Sequence, residues 1–274
     1  MNPREAVIPF FKLLFKDQKK ILKSLLNYTK EADKRLSFKN QYKQIGLPFV
    51  DLQDLVDINE SIQNYTYLNG SSRPIDIALL MALCRKYENC NYLEIGSWRG
   101  ESLVNVAKVA SKCTSVSLSK DDMLSMGMNK KAADLQRLFS SETPNVTHIE
   151  ANSLEYDFDQ LNQKFDVIFV DGDHTYKGVK SDTMNAFKLL RNEDSVIVWH
   201  DCGGGFEGYR YEVISAIMDG TPPEKRNKIY RVSNTLCGIY TNQDLTSEFT
   251  DSPQTPNKVF SIDIKMNSYS TSLD

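Results

Sequence analysis

The hydrophobic positions of this chain change rhythm twice. Between residues 7 and 26, Val7, Phe11, Leu14, Ile21, Leu22 and Leu25 recur at helical spacing among Lys12, Lys16, Lys19, Lys20 and Lys23, which predicts an amphipathic helix. Residues 30–70 are polar and irregular, and their short apolar clusters at 45–50 and 52–58 predict small helices or a loop-rich cap. Pro74 opens "PIDIALLMALCRKY", a second amphipathic helix with its proline in the first turn. From Asn91 the pattern alternates. The apolar runs "NYLEI", "TSVSL", "VTHIE", "FDVIFV" and "SVIVW" read as strands, with helical stretches at about 101–112, 121–139, 176–190 and 207–218 among them. Strands separated by helices predict a parallel, doubly wound α/β sheet. "IYRVSNTLCGIYT" adds two strands around the turn Ser233–Asn234, an antiparallel hairpin closing one edge, for about seven strands in all. "KVFSIDIKM" alternates like one further strand. The expected organisation is a helical cap or oligomer segment over 1–72, the sheet domain over 73–242, and a C-terminal extension over 243–274.

Composition narrows this picture. A chain of 274 residues with 41% hydrophobic content supports one large core plus a small appendage. The net charge of −3 hides an asymmetry, because residues 1–43 carry eleven Lys/Arg against four Asp/Glu. Such a segment suits a membrane surface, an anionic ligand, a neighbouring subunit or simply a solvated helix face. The five cysteines, Cys84, Cys90, Cys113, Cys202 and Cys237, have neither metal nor disulfide spacing, which fits a reducing, cytoplasmic setting. "AVIPFFKLLF" is interrupted by Lys12 and too short to span a bilayer, so no stable membrane insertion is expected. No basic and aromatic patch points to a nucleic-acid partner.

The first strand ends in "LEIGSWRGES", Leu93 to Ser102. Gly96 and Gly100 leave backbone room at a strand-to-helix turn, where free N–H groups face a ligand. No Gly-Lys-Ser/Thr follows, and the glycines are four apart, so neither a phosphate loop nor a dinucleotide fingerprint is present. One acid before two spaced glycines suits a ligand carrying a carboxylate and an amine.

"EIGSWRGES" resembles the E-[IL]-G-x-x-x-G-x-S loop of class I S-adenosylmethionine-dependent methyltransferases, which are Rossmann-like, and in particular the catechol and caffeoyl-coenzyme A O-methyltransferase branch with its bacterial small-molecule members. The resemblance runs from about Pro74 to Asn242. It implies S-adenosylmethionine as cofactor, with Glu94 and Gly96 beside its methionine part, Ser102 reaching its carboxylate, and Ser97, Trp98 and Gly100 completing the loop. Ser117, in "VSLSKDDML", stands where the family carries the acid that grips the ribose hydroxyls; Asp121 and Asp122 lie one turn on as substitutes. "EANSLE" resembles the adenine-contact segment and implies Asn152 and Ser153.

Only three histidines occur, and His174 and His200 each follow an apolar run beside an aspartate. Such strand ends are where open α/β sheets keep ligands. "DGDHTYKGVKSD" resembles the D-x-D-H-x-Y-x-x-V-x-x-D motif of a bacterial group of these methyltransferases. It implies Asp171 as a ligand of cofactor or metal and His174 in the place of the base. "VWHDCGGG" sets Asp201 and Cys202 where relatives carry an Asp-Asn metal pair. Methyl transfer to a hydroxyl requires that hydroxyl to lose its proton, and a histidine titrating near neutrality suits the task. Asp171 and Asp201, with His200, would hold Mg²⁺ or another divalent cation. Alternatively Asp173 or Asp201 orients His174. Asp182 reads as a helix-face charge, Trp98 and Trp199 as packing residues, with Trp98 against the cofactor as the sharper option, and "CGGGF" as a mobile turn that admits substrate.

The function expected is O-methylation of a hydroxyl on a small molecule, such as a sugar or natural-product intermediate. The competing expectation is a catalytically degenerate cofactor-binding module with a regulatory or structural role, and the N-terminal helices offer a homo-oligomer contact. A nucleic-acid methyltransferase is disfavoured because no Asn/Asp-Pro-Pro-Tyr/Phe follows the fourth strand. Glycine spacing disfavours a dehydrogenase.

Overall fold

The computed structural model describes residues 18–203, 208–249 and 255–269, with side chains from residue 29 onward. The chain divides into two compact units, Met1–Gly46 and Leu47–Asp274. In the first, helix α1 spans Gln18–Tyr42. The expected helix start before Gln18 lies outside the described residues. Beyond residue 30 the chain is helical, where irregular structure was expected. No glycine or proline occurs between residues 10 and 45, Lys34 pairs with Glu31 at 2.9 Å, and Phe38 packs on Tyr42 one turn later with ring centroids 4.8 Å apart. No helix among the described residues is long and apolar enough to cross a membrane.

The second unit holds one eight-stranded sheet. Its strands are β1 (Phe49–Val50), β2 (Asn91–Ile95), β3 (Lys112–Ser117), β4 (Val146–Glu150), β5 (Val167–Val170), β6 (Val196–Trp199), β7 (Ile229–Val232) and β8 (Gly238–Tyr240). The order across the sheet is β1-β7-β8-β6-β5-β2-β3-β4. All neighbours are parallel except β8, which runs antiparallel to both β6 and β7. The five alternating strands and the hairpin were legible from the sequence. The eighth strand was not, because β1 is two residues long and too short to show a period. It pairs with β7 and makes the edge that the hairpin was expected to form.

The main helices are α3 (Pro74–Cys84), α4 (Glu101–Val106), α7 (Tyr176–Leu189) and α8 (Tyr211–Gly220). Strand alternation divides the core. Tyr92, Val167, Phe169, Val196 and Val198 join an apolar cluster with Leu79, Leu80 and Leu83 of α3 and Leu103 and Val106 of α4. On the opposite face Trp199 donates its indole N–H to Thr183 of α7 at 2.9 Å. Pro74 does open α3, and Asp76 accepts the Arg73 N–H at 2.8 Å. The helix is buried nearly all round, not amphipathic. Val50, Leu52, Leu55 and Val56 belong to the same cluster, so segment 47–72 is an integral part of this unit and contains only one short helix, α2 (Leu52–Leu55).

Two further expectations fail for local reasons. The helix expected over 121–139 is two short ones, α5 (Lys120–Ser125) and α6 (Lys130–Asp134), because Gly127 takes a left-handed φ of 88° and Asn129 starts a new helix by accepting from Ala132 N–H. Residues 258–266, expected as a strand, contain no helix, turn or bend and join no strand ladder among the described residues.

The ends of β2 and β5 approach through glycine. Gly96 has φ +90°, and a Cβ there would lie 2.2 Å from Gly172 Cα and 2.5 Å from the Asp171 carbonyl oxygen. Gly127 has nearly the same φ, +88°, with nothing within 4 Å of its would-be Cβ. Gly127→Ala should therefore cost only the left-handed backbone term of roughly 1 kcal/mol. Gly96→Ala adds a backbone clash and should cost about 2–5 kcal/mol. Urea midpoints of the two variants measure the difference, and equal values would remove the close approach as a constraint.

Candidate active site

Beyond the C-terminal ends of β2 to β5 lies a cleft of about 500 Å³. Its near wall is the loop Glu94 to Ser102, its far side carries Ser117 and Asn152–Ser153, and its floor carries Asp171. Every residue that the sequence assigned to the cofactor thus faces one space. Glu94 is buried, its carboxylate accepting from Tyr92 Oη at 2.8 Å and Ser102 Oγ at 2.9 Å. Burial is the largest influence on its carboxyl, pushing it up to about 7, and Asp171 nearby adds to the rise. Ser102 therefore orients Glu94. The Ser117 hydroxyl is buried on the cleft wall and has no hydrogen-bond partner among the described residues. Of the two acids expected to substitute for it, Asp122 is engaged elsewhere, accepting from Ser119 N–H at 3.2 Å and Ser119 Oγ at 2.6 Å to cap α5. Trp98 lines the cleft with its indole N–H fixed on the Ala132 carbonyl at 2.8 Å.

At one end of the cleft floor the strand ends of β5 and β6 bring Asp171, His174, His200 and Asp201 together, joined by Asp76 and Arg210. His174 Nε2 lies 3.1 Å from Asp201 Oδ2 and 3.6 Å from Asp171 Oδ1. His200 lies between two acids, with Nδ1 3.2 Å from Asp171 and Nε2 3.2 Å from Asp76 on α3. Burial alone would depress its pKa, but the Asp171 and Asp76 carboxylates outweigh that and hold it well above the ordinary imidazole value. Arg210 Nη1 contacts Asp201 at 2.6 Å, and Ser72 Oγ donates to Asp171 at 3.2 Å. Asp201 takes a left-handed φ of 59°, a conformation that aspartate adopts more readily than most residues and that recurs at functional turns. Among the described residues, Asp171, His200 and Asp201 form the group able to hold a metal ion, each offering one ligand atom within 4.8 Å of the others.

Residues 93–202 match the family model described as a methyltransferase domain. Those residues carry a methyltransferase domain. The S-adenosylmethionine-dependent methyltransferase expected from the loop stands. Among solved structures the methyltransferase is similar to an O-methyltransferase from Bacillus cereus in complex with SAH, at 19% identity over 63% of this chain and 81% of that one, with a TM-score of 0.42. It is also similar to the O-methyltransferase TomG from Streptomyces achromogenes, involved in tomaymycin synthesis and in complex with SAM, at 16% identity over 62% and 82%, with a TM-score of 0.44. Likeness at that level carries no argument about acceptor or mechanism. No curated protein matches the chain.

Three residues singled out in the sequence have defined surroundings in the methyltransferase. Asp173 lines the cleft beside His174, and its carboxylate accepts from Thr175 N–H at 3.0 Å and from the Thr175 hydroxyl, fixing the turn into α7. Cys202 is buried, its Sγ turned toward the Trp199 carbonyl at 3.7 Å and its thiol pushed up to about 12 by burial, so it does not extend the acidic cluster. Asp182 is fully buried, and burial pushes its carboxyl up to about 7, with Asp173 adding to the rise. It falls on the inward stripe of α7 with Val179 and Ala186, a spacing that could have revealed it. Of "CGGGF", residues 204–206 lie outside the described residues. The third histidine, His148, places Nε2 3.0 Å from the Ser140 carbonyl and is lowered by burial.

Sequence reasoning also missed a buried ion pair. Arg99 and Glu101 meet at 3.0 Å, both inaccessible. Glu101 accepts from Thr66 N–H at 2.8 Å and from Ser71 Oγ, while Arg99 donates to the Asn69 carbonyl at 3.0 Å. The pair ties segment 66–72 to the glycine loop, so that Ser71 and Ser72 become cleft wall.

The buried acids make stability depend on pH. Asp182 titrates near 3.8 when exposed and near 7 when folded, so the unfolded chain releases its proton first. Its contribution is full below about pH 4 and is lost as pH rises through about 7. Asp182→Asn should flatten the decline in urea midpoint between pH 5 and 8, the remaining slope belonging to Glu94 and His200. Parallel pH profiles for variant and wild type would contradict the assignment.

Proposed function

We propose that the protein transfers the methyl group of S-adenosylmethionine to a hydroxyl of a small molecule, with His174 as general base. The observation that carries this reading is the convergence of His174, Asp171 and Asp201 at the floor of a cleft whose opposite walls bear the glycine loop and Ser117. A volume of about 500 Å³ suits a ligand of nucleoside size. The Ser117 hydroxyl, buried and unpartnered, is the kind of atom that a ribose hydroxyl would satisfy. Glu94 is the carboxylate nearest the loop and the natural partner of the methionine ammonium. The cofactor supplies an electrophilic methyl group on a sulfonium.

The chain's own residues then manage one proton. Asp201, 3.1 Å from Nε2, accepts a hydrogen bond from Nε2–H and so leaves the lone pair of His174 on Nδ1. His174 is 45% exposed, within reach of an entering acceptor. As the hydroxyl attacks, Nδ1 takes its proton, and the imidazolium that forms is stabilised by Asp201 and Asp171.

Asp171, His200 and Asp201 are the residues that would hold a divalent cation, whose charge would favour the deprotonated acceptor. Loading it requires His200 to lose its proton and Arg210 to leave Asp201, so metal binding should strengthen with rising pH.

Calorimetric titration with S-adenosylmethionine and S-adenosylhomocysteine tests the cofactor; absence of binding to the wild type would favour a degenerate module. His174→Ala should bind both as the wild type does while turnover on an accepted hydroxyl falls by roughly 10²–10⁴. Retained turnover would remove the base role. For the metal, chelation followed by Mg²⁺ or Mn²⁺ should restore activity better at pH 8 than at pH 6.5. Indifference to chelator at both values would leave His174 unassisted.

A further inference from the structure

Residues 258–266 read as a strand yet have no strand partner among the described residues. Val259, Ile262, Ile264 and Met266 are 93%, 77%, 68% and 95% exposed. The segment is nevertheless fastened at both ends. Lys258 Nζ and Asn257 Nδ2 reach Asp51 at 2.8 and 2.7 Å, and Tyr269 packs on Phe139 with ring centroids 5.2 Å apart. A segment free of helix, turn and bend, with exposed apolar side chains and both ends anchored, is a template for pairing with another strand.

We propose that this segment pairs antiparallel with its own copy in a second molecule, about a two-fold axis through Ile264. The charge pattern selects that register. With Ile264 opposite Ile264, Asp263 of each copy faces Lys265 of the other, giving two cross-strand ion pairs, and Ile262 faces Met266. Moving the axis to Asp263 sets acid against acid, and moving it to Lys265 sets lysine against lysine. Moving it to Ile262 leaves both charges without a counterpart. On the same face as Ile264, Phe260, Ile262 and Met266 from both molecules form one continuous apolar strip. The contact is isologous and closes at two copies. The end anchors present the strand already extended, which lowers the ordering cost of association. This dimer uses the C-terminal extension and not the N-terminal helices.

Sedimentation or light scattering of the full chain over a concentration series tests the pairing. The wild type should dimerise. Asp263→Lys alone and Lys265→Asp alone should each weaken the dimer at least tenfold, because like charges then face each other. The double variant Asp263→Lys/Lys265→Asp should restore it, and all three should keep the wild-type circular dichroism, since these side chains are exposed. Ile264→Cys should form a disulfide with itself under mild oxidation, whereas Val259→Cys should not. A wild type that stays monomeric, or a dimer that ignores the single charge changes, would overturn the proposal. So would failure of the double variant to recover.

Discussion

His200, held between Asp171 and Asp76, is the interaction on which the site depends. It joins three elements that the chain brings together from far apart: α3, the end of β5 and the end of β6. Burying one charge without a partner costs several kcal/mol, and removing one member of a buried pair leaves that cost on the other. Here the charges are paired and further satisfied. Asp76 also accepts from the backbone N–H groups of Arg73 and Leu236, at 2.8 and 2.9 Å, so the same carboxylate caps α3 and pins the β7–β8 loop. Asp171 is thereby fixed from below, and Ser72 holds it from the other side. The orientation of His174 follows from that arrangement, because its two acidic neighbours cannot turn freely.

A second buried pair, Arg99–Glu101, does for the cleft wall what His200 does for its floor. The β2–α4 loop alone is a short glycine turn with no means of enclosing a ligand. By binding segment 66–72 through several donors and acceptors, the pair adds a wall from outside the sheet. Arg99 also stacks over the Trp98 ring at 4.3 Å, and Gly70 packs against the same ring. The wall is therefore rigid where it meets the loop. A cleft assembled from preformed pairs loses little entropy on ligand binding.

The strands were legible because their alternation is local: two residues apart in sequence means the same face of the sheet. The glycine loop and the cluster of Asp171, His174 and Asp201 were legible because each lies at a strand end. What escaped was set by contacts across the chain. Asp76 meets His200 124 positions away, and nothing in "PIDIALL" marks its acid as different from any first-turn cap. Arg210 follows residues outside the described set and has no local signal. Asp173 stayed ambiguous because an Asp three residues before a helix reads equally as a catalytic neighbour and as a turn-forming side chain. Local sequence cannot separate these until the direction of the side chain is known.

The proton chemistry follows from the charge count of the cluster. Asp76, Asp171 and Asp201 face the cations of His200 and Arg210, which leaves one negative charge unmatched beside His174. In the proposed reaction, a proton taken from the acceptor by His174 would bring that set to balance. Adding a divalent cation to the same three donors would overbalance it unless His200 gave up its proton and Arg210 moved away. A base at His174 and a metal at these donors would therefore compete for the same negative charge, and pH would choose between them. That makes Arg210, a permanent cation on Asp201, the residue whose position decides how readily a metal could enter.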